Sequence, residues 1–113
     1  MLYFSLSRKH TSQMSQQLEL IKDKLQRHHV FSLYRNQINK DLERSGYPVV
    51  QSDTPDEFLE SVIQLLSDAI EDSDPKLQQL YYLADVQERH LEHGIVIGFL
   101  YREWVKIQFR LRQ

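Results

Sequence analysis

The stretch Thr54–Ser73, TPDEFLESVIQLLSDAIEDS, constrains the fold more than any other part of the chain. At 100° per residue, Phe58, Leu59, Val62, Ile63, Leu65, Leu66, Ala69 and Ile70 cover an arc of about 160°. Every other position from Glu57 to Asp72 is Glu, Asp, Gln or Ser, and these fill the opposite arc. The start is marked as well. Thr54 with Glu57 three residues on has the form of a capping box, Pro55 suits the first helical position, and Asp56 and Glu57 suit the positive helix end. An apolar wedge this wide needs at least two packing neighbours.

A chain of 113 residues is long enough to bury roughly two-thirds of its unfolded surface without covalent staples. It contains no cysteine, which excludes disulfides and thiolate-ligated zinc or iron–sulfur centres and suits a reducing compartment. Three Gly and three Pro, against abundant Leu, Gln, Glu and Lys/Arg, point to an all-α protein. No run approaches the roughly 18 to 20 apolar residues that span a bilayer. The opening MLYFSLSRKH lacks the basic start and small-residue cleavage site of a signal peptide, so the expected address is the cytoplasm, with no membrane partner.

Before the central stretch, residues 1–11 read as a flexible arm or short extended piece. A vector-encoded extension is the alternative, because Met14 opens a natural-looking start, MSQQLELIKDKL. Met14, Leu18, Ile21 and Leu25 form a narrow helical seam, and apolar character resumes in another phase at Phe31, Tyr34, Ile38 and Leu42. One straight helix would bury two different faces, so a break near His28–His29 is expected. Ser45-Gly46, with Pro48 beyond, ends the second piece. Tyr47–Asp53 then reads as an irregular surface connection.

Beyond the central helix, Asp74-Pro75 starts a short helix over 75–84. Asp85-Val-Gln-Glu88 has the form of another capping box, and a restart there spares Glu88 from the core. A long last helix over roughly 86–110 is expected, with Gly94 and Gly98 inside it. Each weakens a helix by about 1 kcal/mol relative to Ala, so they admit a close backbone or mark a bend. The expected architecture is a single helical domain over 1–113, a compact bundle of four or five helices with a long C-terminal helix.

Few patterns carry chemistry. His28-His29 and His90-x-x-His93 are the available imidazole pairs, and residues at i and i+3 can share a metal. The Glu-x-x-His signature of di-iron bundles is missing, however, because Leu25, Gln26, Gln87 and His90 occupy the positions three before each histidine. Glu57-x-x-Glu60 and Glu71-x-x-Asp74 resemble the Mg²⁺-binding signature of the all-α nucleotide pyrophosphohydrolases. That resemblance covers four residues and implies two halves on separate packed helices, whereas here both fall on one helix three turns apart. No nucleophile elbow, glycine-rich phosphate loop or dinucleotide fingerprint occurs, so no cofactor and no catalysis are expected.

Charge is uneven within the net −2. Residues 51–74 hold eight acidic and no basic residues, and residues 1–50 hold eight basic and four acidic ones. Arg102, Lys106 and Arg110 recur every four residues at the C-terminal end, where cations also satisfy the helix dipole. Such a stripe makes a nucleic-acid-binding module one alternative reading, and a histidine-ligated metal protein a second. The leading expectation comes from apolar residues. Val96, Ile97, Leu100, Tyr101, Trp104, Val105, Ile107 and Leu111 fill the expected core face of the last helix, while Ile95, Phe99 and Phe109 lie on the other half. A second apolar stripe suggests a contact surface, with Ile95, Phe99, Trp104 and Phe109 as anchors and Arg102, Lys106 and Arg110 as the rim. The chain therefore reads as a small, non-enzymatic cytoplasmic interaction protein (an adaptor, regulator or assembly factor). Its partner would be another protein or a second copy in a homodimer, and Phe99→Glu would be expected to break the contact while sparing helicity.

Overall fold

The computed structural model describes residues 16–112; the expected N-terminal arm and Met14 lie outside them. Within that span a helix covers 16–24 (α1), followed by α2 (His28–Arg44), α3 (Pro55–Glu71), α4 (Lys76–Ala84), a 3₁₀ turn (Glu88–His93) and α5 (Ile95–Arg112). No strand occurs among the described residues. The all-α bundle read from periodicity is the architecture found.

Helix α3 forms where its signals place it. The Thr54 hydroxyl accepts from the Glu57 amide at 3.3 Å, and Pro55 occupies the first turn. Phe58, Leu59, Val62, Leu66 and Ala69 are buried, and Ile63 and Leu65 pack at the margin. The wedge is closed from three sides, by α4 and α5 and by two aromatic rings of α2. Phe58 sits edge-on to Phe31 and to Tyr34, with centroids at 5.7 and 6.4 Å. Such edge-to-face pairs add roughly 0.5–1.5 kcal/mol each beyond their area.

The α1–α2 break lies at residues 25–27, between the two apolar phases. Ile21 and Leu25 are buried in the first phase, and Val30, Phe31, Tyr34, Ile38 and Leu42 in the second. Gly46, at φ +90°, turns the chain away from α2. The following connection is tied down: Asn39 accepts from the Val50 amide at 2.8 Å and donates to its carbonyl at 2.9 Å.

Between α4 and α5 the structure departs from expectation. Asp85 does not cap a new helix. It lies at φ +58° and terminates α4. The reciprocal cap forms two residues later, with the Gln87 amide donating to His90 Nδ1 at 2.8 Å. Nor is there one helix over 86–110. Residues 88–93 make a 3₁₀ turn, Gly94 takes φ +101°, and α5 begins at Ile95. Gly94 makes the bend; Gly98 admits the close backbone. A Cβ at 98 would stand 2.6 Å from the His90 carbonyl oxygen and 2.8 Å from Leu91 Cδ2.

The buried face of α5 differs from the one periodicity predicts. Phe99 is fully buried against Tyr81 of α4, with ring centroids 5.5 Å apart, so it is core and not surface. Trp104 is likewise buried, beside Tyr34. Tyr101 and Leu111, expected inside, are exposed. Periodicity located the helix but not which flank the 3₁₀ turn would cover.

Gly98→Ala separates propensity from packing. An isolated helix would gain about 1 kcal/mol from alanine. Here the methyl meets backbone that cannot rotate aside, and overpacking costs roughly 1–3 kcal/mol. Urea denaturation is expected to show a net loss of about 1–2 kcal/mol.

Candidate functional site

The C-terminal half of α5, the 3₁₀ turn and α1 enclose a cleft of about 510 Å³. Tyr101, Val105 and Phe109 form one wall, at the i, i+4, i+8 spacing that stacks side chains along a helix. Arg89, His90, Glu92 and His93 come from the turn, Gln17 from α1, and Arg102 from beside the apolar wall. Two sequence features that looked unrelated, the His90/His93 pair and the basic stripe, therefore meet. They meet because the break at Gly94 folds the turn back along α5.

Each imidazole is already engaged. His90 is buried, and its Nδ1 accepts the Gln87 amide, which leaves the ring proton on Nε2 in the neutral form. Burial, then the guanidiniums of Arg102 and Arg89, hold its pKa below the usual histidine range, while Asp85 pulls the other way. Gln17 Nε2 lies 3.3 Å from His93 Nε2. With the amide donating, His93 carries its proton on Nδ1, and that buried nitrogen has no partner. His28 and His29 are exposed at the start of α2. No group of three potential ligands gathers among the described residues, so the four candidate histidines form no metal centre there.

The basic stripe is largely neutralised. Arg102 Nη2 sits 3.0 Å from Asp85 Oδ2, and Lys106 Nζ lies 2.9 Å from both Asp41 and Glu103. Arg110 alone of the three is exposed. Of the expected anchors, Phe99 and Trp104 belong to the core. Phe109 is 60% exposed and Ile95 is 47% exposed, but they stand at opposite ends of α5, about 20 Å apart by helical rise. Ile95 flanks a separate shallow groove of about 480 Å³ with Leu77, Tyr81 and Leu91. Glu57 and Glu60 open α3 while Glu71 closes it, about 20 Å away, so the phosphohydrolase-like carboxylates do not converge.

Sequence reasoning missed a polar knot inside the core. Asp41 and Glu103 are buried between α2 and α5, with Lys106 reaching in between them and Gln37 donating to Asp41 Oδ2 at 3.3 Å. On the helical wheel Glu103 falls between Phe99 and Ile107, so it enters the core together with Phe99, which periodicity had placed outside. Desolvation drives its pKa to about 9 despite the opposing pull of Lys106, and the neighbouring Asp41 carboxylate pushes the same way as burial. Its carboxyl oxygens complete no well-formed hydrogen bond. The knot lines none of the clefts described above, which marks it as a structural device.

No protein-family model, curated protein or solved structure matches the chain. Among the described residues, no helix is long and apolar enough to cross a membrane.

Glu103 sets a pH dependence with a definite sign. Its folded pKa of about 9 lies above the ordinary 4.5, so the folded state retains a proton that the unfolded chain has released. That contribution is complete below pH 4.5 and is lost progressively as pH rises toward 9. Urea midpoints of the wild type should fall across this window. Glu103→Gln, which imitates the protonated acid, is expected to flatten the decline and match or exceed wild-type stability at its alkaline end.

Proposed function

We propose that the chain is a small, non-enzymatic interaction or assembly protein of the cytoplasm that docks through the C-terminal half of α5. The observation that carries this reading is the exposure of Phe109, at 60%, on a helix end that runs past the core. Ile107 is the last buried residue of α5, and Phe109, Arg110, Leu111 and Arg112 are all exposed. An aromatic ring flanked by arginines is the composition enriched at the centres of protein interfaces. Tyr101 and Val105 extend the apolar surface back along the same wall.

The contact surface therefore differs from the one periodicity suggested. Phe109 and Arg110 stay in their expected roles, Tyr101 and Val105 replace Ile95, Phe99 and Trp104 as the other anchors, and Arg112 replaces Arg102 and Lys106 in the open cationic rim. Pairing of two copies, helix end to helix end, is the simplest occupant, because an isologous contact needs only one such patch.

Two variants distinguish surface from core. Phe109→Glu changes an exposed position, so its unfolding free energy should stay within about 0.5 kcal/mol of wild type while sedimentation mass or partner capture is lost. Phe99→Glu would bury a carboxylate beside Tyr81 and is expected to unfold the chain, at a cost above about 4 kcal/mol. A Phe109→Glu protein with unaltered mass and unaltered capture would rule out docking through this helix end.

A further inference from the structure

We infer that the cleft between the 3₁₀ turn and α5 is a binding site for a small organic anion, a carboxylate or phosphate carried on an apolar or aromatic body. The volume, about 510 Å³, falls within the roughly 300–1,000 Å³ of small-molecule pockets. The lining divides by chemistry. Tyr101, Val105 and Phe109 supply a flat apolar wall, while Arg89 and Arg102 supply guanidiniums from two different elements. Arg102 is held in place by Asp85 and keeps only 18% of its side chain exposed, which limits the rotamer entropy a ligand must remove.

The hydrogen-bonding inventory points the same way. Arg102 Nε and His93 Nδ1 are buried nitrogens without partners. His90, with Nδ1 occupied, presents an Nε2–H. Three N–H groups thus belong to side chains lining one cleft, an excess of donors that calls for an acceptor-rich guest. A buried donor left unpaired costs roughly 1–3 kcal/mol, which a ligand oxygen would relieve after a modest side-chain rotation. The opposing charges are Glu92 on the turn and Asp85, paired with Arg102, and both residues are exposed to water. Solvent screens exposed carboxylates more strongly than the half-buried guanidinium they flank. Bidentate geometry makes guanidinium the side chain best matched to carboxylate or phosphate oxygens.

This site overlaps the proposed docking face along the Tyr101–Val105–Phe109 wall, but its polar half, from Arg89, His90, His93 and Arg102, belongs to the cleft alone. A heteronuclear NMR titration of the full chain with phenyl phosphate, phenylacetate, inorganic phosphate and neutral phenylacetamide tests it. Resonances of residues 89–93 and 101–109 are expected to shift with one or both aromatic anions at millimolar concentration, and the stronger of the two identifies the anionic group. Arg89→Gln, an exposed change that leaves the fold intact, should raise Kd roughly tenfold. The inference is overturned by an absence of shifts with either aromatic anion. Equal affinity for phenylacetamide, equal affinity for inorganic phosphate, or an unchanged Kd in both Arg89→Gln and Arg102→Gln would overturn it as well. None of these outcomes depends on whether Phe109→Glu alters sedimentation mass.

Discussion

Much of this architecture depends on the missing side chain at position 98. Without a Cβ there, the His90 carbonyl can lie against α5, and the 3₁₀ turn can fold back along the helix it precedes. Gly94 supplies the reversal with a backbone angle that side-chain-bearing residues rarely adopt. The two glycines act together. One turns the chain, and the other leaves room for what the turn brings.

The consequences spread from that contact. The turn covers the Gly98 flank of α5 while α4 covers another, and Phe99 is core because the Tyr81 ring of α4 lies against it, although it lies off the face that Leu100 and Ile107 define. The flank that carries Tyr101 and Phe109 is left open beside the turn. Arg89, His90 and His93 arrive at that open wall because they ride on the turn. A helix continuous from 86 to 110 would have pointed these residues around its circumference, and no cleft would exist.

The knot of Asp41, Glu103 and Lys106 follows a different logic. Buried ion pairs seldom add net stability, since desolvation offsets most of the attraction. Their value lies in register, because a lysine held by the Asp41 carboxylate and the buried Glu103 carboxyl group leaves little freedom for α5 to slide along α2. Tyr34 fixes the same seam from its other end, donating its hydroxyl to the Leu100 carbonyl at 2.8 Å. Burial and the nearby Glu103 both raise the Tyr34 pKa, so that donor keeps its proton across the accessible pH range.

Local chemistry alone determined the helical class, the start and apolar face of α3, the break between α1 and α2, and the turns at Gly46 and after Ala84. Capping, left-handed glycine and periodicity act over a few residues, and the residues concerned are contiguous. Only the tertiary structure decided which flank of α5 is covered, where the reciprocal cap after α4 forms, and that His90, His93 and Arg102 share a cleft. It also decided that Lys106 spends its charge inside the core, on a carboxylate 65 positions earlier in the chain. These outcomes rest on contacts between segments whose separation in sequence carries no periodic signal. A helical wheel can place Phe99 and Phe109 on one half of a helix, but it cannot know that Tyr81 of α4 packs against the first while the second stays 60% exposed.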